Sequence, residues 1–155
     1  MIQRIQSIYL LLASISSGIL LGAPLNYTET ASAKYTLYIG GLVQTHPEES
    51  TLSNNPVLFS VGLLLTLFPL IILFLYKKRQ IQMRLAASAM MANTAMLMLM
   101  AGFANKSQEQ ITGRHLIEAP GGGFLLPALS IIFLFLASKA IRKDDKLIRS
   151  ADRLR

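Results

Sequence analysis

Four long apolar blocks alternate with short polar stretches along this chain of 155 residues. The blocks run over about 5–25, 56–76, 85–103 and 124–140, and almost all charged side chains fall between them. A helix that crosses a bilayer needs about 20 mostly apolar residues, and each block is close to that length. In hydrocarbon every backbone N–H and C=O must be bonded within the protein, which a helix does locally. The pattern predicts an all-α membrane protein. Residues 1–140 form a four-span transmembrane helical bundle, and 141–155 form a basic amphipathic cytoplasmic tail.

Local signals mark the block ends. Asn55 before Pro56 reads as an N-cap followed by proline in the first turn. Tyr76, Lys77, Lys78 and Arg79 close the second block with an aromatic anchor and cations suited to a helix C-terminus. Pro69 predicts a kink inside that helix. Gly121-Gly122-Gly123 reads as a flexible lead into the fourth span. Lys139, in the last turn of that span, has the reach to snorkel to the headgroups.

The loop before the second span holds two β-prone runs around Gly40-Gly41, which predict a short hairpin. Gly113–Glu118, in the loop before the fourth span, reads as one further strand. The expected fold is thus a helical bundle with a small extracytoplasmic loop cap and a cytoplasmic C-terminal helix.

Charge orients the bundle. The net charge is +7, and twelve of the fifteen cations lie on one side: Arg4, Lys77, Lys78, Arg79, Arg84, and the seven from Lys139 onward. Only Lys34, Lys106 and Arg114 lie on the other. Cationic loops stay in the cytoplasm, so both termini are expected there (N-in/C-in), which agrees with an even number of spans. The cations flank apolar blocks instead of lining one soluble face, so no nucleic-acid partner is expected. They suit anionic lipid headgroups at the cytoplasmic face. A cleaved signal at the N-terminus is the rival reading of Arg4 and the first block, but its nearest small-residue site, Ala31-Ser32-Ala33, lies well past the block.

Candidate chemistry is sparse. The absence of cysteine excludes disulfides, thiolate catalysis and iron–sulfur clusters. No nucleotide-binding, zinc-protease or serine-hydrolase motif is present, and no cofactor is called for. His46, Glu48, Glu49, His115 and Glu118 in the outer loops lack dedicated metal spacing. Five methionines in the third block fall all round a helix, as gap-fillers do, and not on one metal-binding face. The spans hold no ionisable group before Lys139, whereas pumps and proton-coupled transporters need one.

Packing signals are clearer. Ser14, Gly18 and Gly22 form a small-residue stripe for close helix approach, either within the bundle or toward a partner. Asn93, deep in the third span, is expected to hydrogen-bond another helix. In the tail, Leu147, Ile148, Ala151 and Leu154 share a helical face, and Asp145 and Arg149 form an i, i+4 pair. Arg4 and Gln6 share the tail's side of the membrane. With Gln3, they are positioned to bond Asp144, Asp145 or Asp152.

The two ends of the chain, Met1-Ile2-Gln3-Arg4-Ile5-Gln6-Ser7 with Tyr9–Ala13, and Arg142–Arg155 with its Lys143-Asp144-Asp145-Lys146 centre, resemble the end signatures of a Bacteroidota membrane family, domain of unknown function 4293. The resemblance implies a bacterial inner (cytoplasmic) membrane location. It implies no activity. Size, packing stripes and the lack of buried charge lead to the expectation of a non-enzymatic accessory, assembly or stabilising subunit that binds other membrane proteins. The alternatives are an oligomeric channel or transporter lined by Ser60, Thr66 and Asn93, and a membrane enzyme using His46 or His115.

Overall fold

The computed structural model describes residues 3–46, 50–75, 78–111 and 115–152, without the side chains of 3–4, 115–116 and 148–152. Four helices, α1 (Gln3–Ile19), α2 (Pro56–Phe74), α3 (Arg79–Glu109) and α4 (Leu125–Asp152), are interleaved with five strands. Strands β1 (Pro24–Thr30), β2 (Lys34–Tyr38), β3 (Gly41–His46) and β4 (Ser50–Asn54) lie between α1 and α2. Strand β5 (His115–Pro120) lies between α3 and α4. A single 3-10 turn, Gly122–Phe124, leads into α4.

Helices α2, α3 and α4 are long and apolar enough to cross a membrane, with mean hydropathies of 2.7, 1.5 and 2.2 over their most apolar windows. Helix α1 is shorter, and this corrects the first span. The helix ends at Ile19, residues 20–22 turn, and Pro24 opens β1. Proline has no N–H to continue a helix, and it disfavours helical geometry at the residue before it. Leu20 and Leu25, which lengthen the apolar run, are instead buried in a core beneath the sheet. At 17 residues α1 spans about 25 Å, short of a hydrocarbon core of about 30 Å.

The other helices start where the sequence places them or run longer. Asn55 caps α2, its side chain accepting from the Leu58 N–H at 3.1 Å, with Pro56 in the first turn. Helix α3 extends beyond 85–103 at both ends, because Arg79–Arg84 are good helix formers and continue the same backbone ladder. Arg79 therefore opens α3 and does not close α2, which ends at Phe74. Helix α4 continues unbroken to Asp152, so the expected tail helix is the end of α4 itself.

The loop cap is a sheet, and the all-α assignment is corrected accordingly. All five strands pair antiparallel in the order β4-β3-β2-β1-β5. The predicted hairpin is β2–β3, with Tyr38 paired to Gly41 around Ile39 and Gly40. Gly41 has φ of +155°, and a Cβ there would lie 2.0 Å from the Ser53 carbonyl oxygen. Only glycine permits that backbone and that approach of β4. β5 forms the further strand expected from the second loop, pairing with β1. Because β1 comes from one inter-helix loop and β5 from the other, their pairing ties the two loops together.

Two cores result. Under the sheet, Leu25, Leu37, Ile39 and Leu42 pack with Leu58 and Leu65 of α2 and Met96 and Met100 of α3. Further along the helices, Leu10, Ala13, Ile72, Ala89, Leu134 and Ala137 form a second cluster. Helix α1 packs on α2 and α4, and α3 packs on the same two. The hairpin tip is seated on α2 at Gly62, where a Cβ would lie 2.7 Å from Ile39 Cδ1.

Candidate functional site

The helices of this chain are apolar outside and polar along narrow internal seams. On the outer surface, Val57, Leu64, Phe74, Met91, Met98 and Leu125 are each more than half exposed. Inside, Ser14, Ser16, Ser17, Ser130, Ser138, Gln6, Gln82 and Asn93 are buried. Water would strip such a surface of its reason to be apolar; lipid tails do not.

The seams are hydrogen-bonded. Between α1 and α2, the Ser14 hydroxyl donates to the Thr66 carbonyl oxygen at 2.6 Å. One turn on, a Cβ at Gly18 would lie 3.4 Å from Thr66 Cγ2, so the two helices meet there at ordinary contact distance. The Ser14–Gly18 stripe is therefore a contact between the protein's own helices. Gly22 lies past the end of α1 in the turn, with no neighbour within reach of a Cβ, so it is not part of that face. Between α1 and α4, Ser17 donates to Ser130 Oγ at 3.2 Å, and Ser130 donates on to the Ala13 carbonyl oxygen at 3.3 Å.

Asn93 departs from expectation. It is 1% exposed, yet its amide donates at 2.9 Å to the Ala89 carbonyl of its own helix. Thr66 and Ser60 likewise bond the carbonyls four residues back, Gly62 and Pro56. Short polar side chains on helices commonly satisfy themselves in this way. The three groups expected to line a pore are thus each turned to their own backbone.

The end of the helices opposite the sheet carries the cations. Lys78, Arg79, Arg84, Lys139, Arg142, Lys143 and Lys146 all lie there, at the starts or ends of α3 and α4. At its centre Gln6 Nε2 of α1 donates to Asp144 Oδ2 of α4 at 2.5 Å, with both side chains 6% exposed. This clasp joins the two signature ends of the chain, as their shared side predicted, and is one of the candidate pairs. Asp145 engages in another interaction, and Leu147 is half exposed. The side chains of Arg4, Ile148, Arg149 and Asp152, and all of Leu154, lie outside the described residues.

At the same end of the helices, Gln82 of α3 is buried and donates to the Ile72 carbonyl at the end of α2 at 3.2 Å. Its Oε1 has no partner among the described residues. Sequence reasoning missed Gln82, Ser17 and Ser130. Gln82 sits in a charged stretch before the apolar block, and single serines in an apolar helix carry no signal of direction beyond helical spacing.

The sheet sets the two outer-loop histidines apart. His46 closes β3 and His115 opens β5, with β2 and β1 between them, a separation of about 14 Å across three strand spacings. Glu118 accepts from Gln108 at 3.3 Å, while Glu48 and Glu49 lie outside the described residues. No group of three or more His, Asp or Glu gathers among the described residues.

A family model, domain of unknown function (DUF4293), matches residues 2–154, nearly the whole chain. The chain belongs to that family. The match includes both elements of the Gln6–Asp144 clasp and the sheet between them. No curated protein matches the chain.

Proposed function

We propose that this DUF4293 protein crosses a bacterial inner membrane four times, with both termini in the cytoplasm, and serves as a non-enzymatic accessory, assembly or stabilising subunit for other membrane proteins. Helix α1 supplies the fourth crossing. It runs beside α4 from the Gln6–Asp144 clasp to the Ser17–Ser130 bond, so it shares the depth of its neighbours. The cation-rich end faces the cytoplasm and the sheet faces the other side.

The observation that carries the subunit role is the division between inside and outside. Gln6, Ser14, Ser17, Asn93 and Ser130 are engaged in internal bonds. The outer surface offers broad apolar helix faces and a sheet with two open edges. β4 is one edge. Ser50, Thr51, Leu52 and Asn54 are exposed, and the strand carries no charge or proline to block a further strand. An edge of that kind suits strand addition from a partner.

Extraction of the tagged chain from its native membrane in mild detergent, followed by mass spectrometry of what co-purifies, tests the proposal. A membrane protein recovered in stoichiometric amount supports it. Substrate turnover or ion conduction by the purified chain alone overturns it.

A further inference from the structure

At the cation-rich end a groove of about 490 Å³ runs between α1 and α4, lined by Ile5, Tyr9, Leu136, Lys139, Ala140 and Lys143. Its floor is apolar, and among the described residues its charged walls are the two lysines, one helical turn apart on α4. No carboxylate among the described residues pairs with either lysine. The groove extends along α4 from Leu136 to Lys143, about 10 Å at 1.5 Å per residue.

Lys139 does not do what a lysine at a span end is expected to do. Its ammonium lies 5.5 Å from the centroid of the Phe135 ring, one turn deeper in α4. Phe135 is itself half exposed on the outer surface. The side chain is therefore folded back along α4 toward the apolar outer surface, at the depth of the groove that Lys139 also lines. A cation at that depth calls for an anion at the same depth, because unpaired charge beside hydrocarbon is costly. A soluble anion would have to leave water to reach it. A phospholipid phosphate is already there, with its acyl chain directed along the apolar floor.

We propose that this groove is a binding site for one anionic phospholipid, with its phosphate between Lys139 and Lys143 and an acyl chain along Ile5, Tyr9, Leu136 and Ala140. Two lysines with no paired carboxylate among the described residues favour a headgroup of net negative charge. They disfavour zwitterionic headgroups, whose own ammonium they repel. Basic pockets between spanning helices at this depth are suited to anionic headgroups. The site rests on the membrane placement of this end of the protein and is independent of the subunit role.

The test uses the full chain in detergent and native mass spectrometry with added phosphatidylglycerol or phosphatidylcholine of identical acyl chains. Wild type is expected to retain one phosphatidylglycerol and to prefer it over phosphatidylcholine. Lys139→Gln with Lys143→Gln should weaken phosphatidylglycerol binding about twenty-five-fold, at about fivefold per cation. Lys78→Gln with Lys146→Gln removes the same charge from the same end and should leave binding unchanged. Ala140→Phe fills the floor with both lysines intact and should also weaken binding. Equal retention of the two lipids by wild type overturns the site, as does an equal loss in both charge-matched variants. Unchanged phosphatidylglycerol binding in Ala140→Phe, with displacement by inorganic phosphate, assigns the lysines to free phosphate and overturns the acyl slot.

Discussion

The two ends of this molecule are held together by different physics. At the sheet end, backbone meets backbone: β1 pairs with β2 and β5, and glycines let strands and the α4 lead-in approach at van der Waals limits. At the cation-rich end the contacts are made by side chains, with Gln6 reaching Asp144 and Gln82 reaching the Ile72 carbonyl. A backbone contact has no slack, since nothing rotates away, whereas a side-chain contact is local and replaceable. The sheet end is thus expected to be brittle and the basic end graded.

The largest effect is expected at the glycines. A Cβ at Gly121 would lie 2.2 Å from the Pro24 carbonyl oxygen, and the Gly121 N–H donates to the Leu25 carbonyl at 2.9 Å. The Gly121–Gly123 stretch is therefore a close-packed junction between β1 and α4, not a flexible lead. Gly121→Ala and Gly41→Ala should each cost about 3 kcal/mol or more, read as loss of folded protein in detergent. Tolerance of either substitution would erase the contrast between the ends.

Next in size is the clasp. Asp144→Ala leaves the buried Gln6 amide without its acceptor and should destabilise by about 1–3 kcal/mol in thermal unfolding. Asp144→Asn keeps an acceptor and should cost less. A Gln6→Ala, Asp144→Ala double-mutant cycle sharpens the comparison, because a true pair shows coupling and two independent sites do not.

The serine seam follows. Ser130→Ala removes bonds to Ser17 and to the Ala13 carbonyl, and an effect of about 0.6 kcal/mol is expected from interhelical hydrogen bonds in lipid. Smallest of all is the outer surface. Met91→Leu and Met98→Leu, both 74% exposed on α3, should shift stability by less than about 0.5 kcal/mol. A larger shift there would show that the α3 face is occupied by something other than lipid.

Much of the helical half was legible in the chain. Apolar length located α2, α3 and α4, and Asn55-Pro56 marked the start of α2 within a residue. The shared side of the two ends pointed to bonds from Gln3, Arg4 or Gln6 to Asp144, Asp145 or Asp152, and Gln6–Asp144 is one of these. The sheet was half legible. Gly40-Gly41 between β-prone runs announced β2–β3, but β1 was hidden because Leu25 extends an apolar run that reads as helix. β4 was hidden because Ser50–Asn54 is polar and short. Asn93 misled, since a buried amide in an apolar helix looks like a bridge between helices until its own i−4 carbonyl is seen to accept from it.

By itself the amino-acid order determined the apolar helices, the segregation of cations to alternate loops and the absence of cysteine or buried ionisable chemistry in the spans. These are properties of composition and period, and each residue carries them wherever it goes. Only the tertiary structure decided that β1 pairs with β5 across 85 residues of sequence, from Thr30 to His115, that Gly41 and Gly121 mark backbone collisions, and that Lys139 turns down over Phe135 beside an apolar groove. Those depend on which surfaces meet and at what distance. A side chain's type does not contain that information until its neighbours are in place.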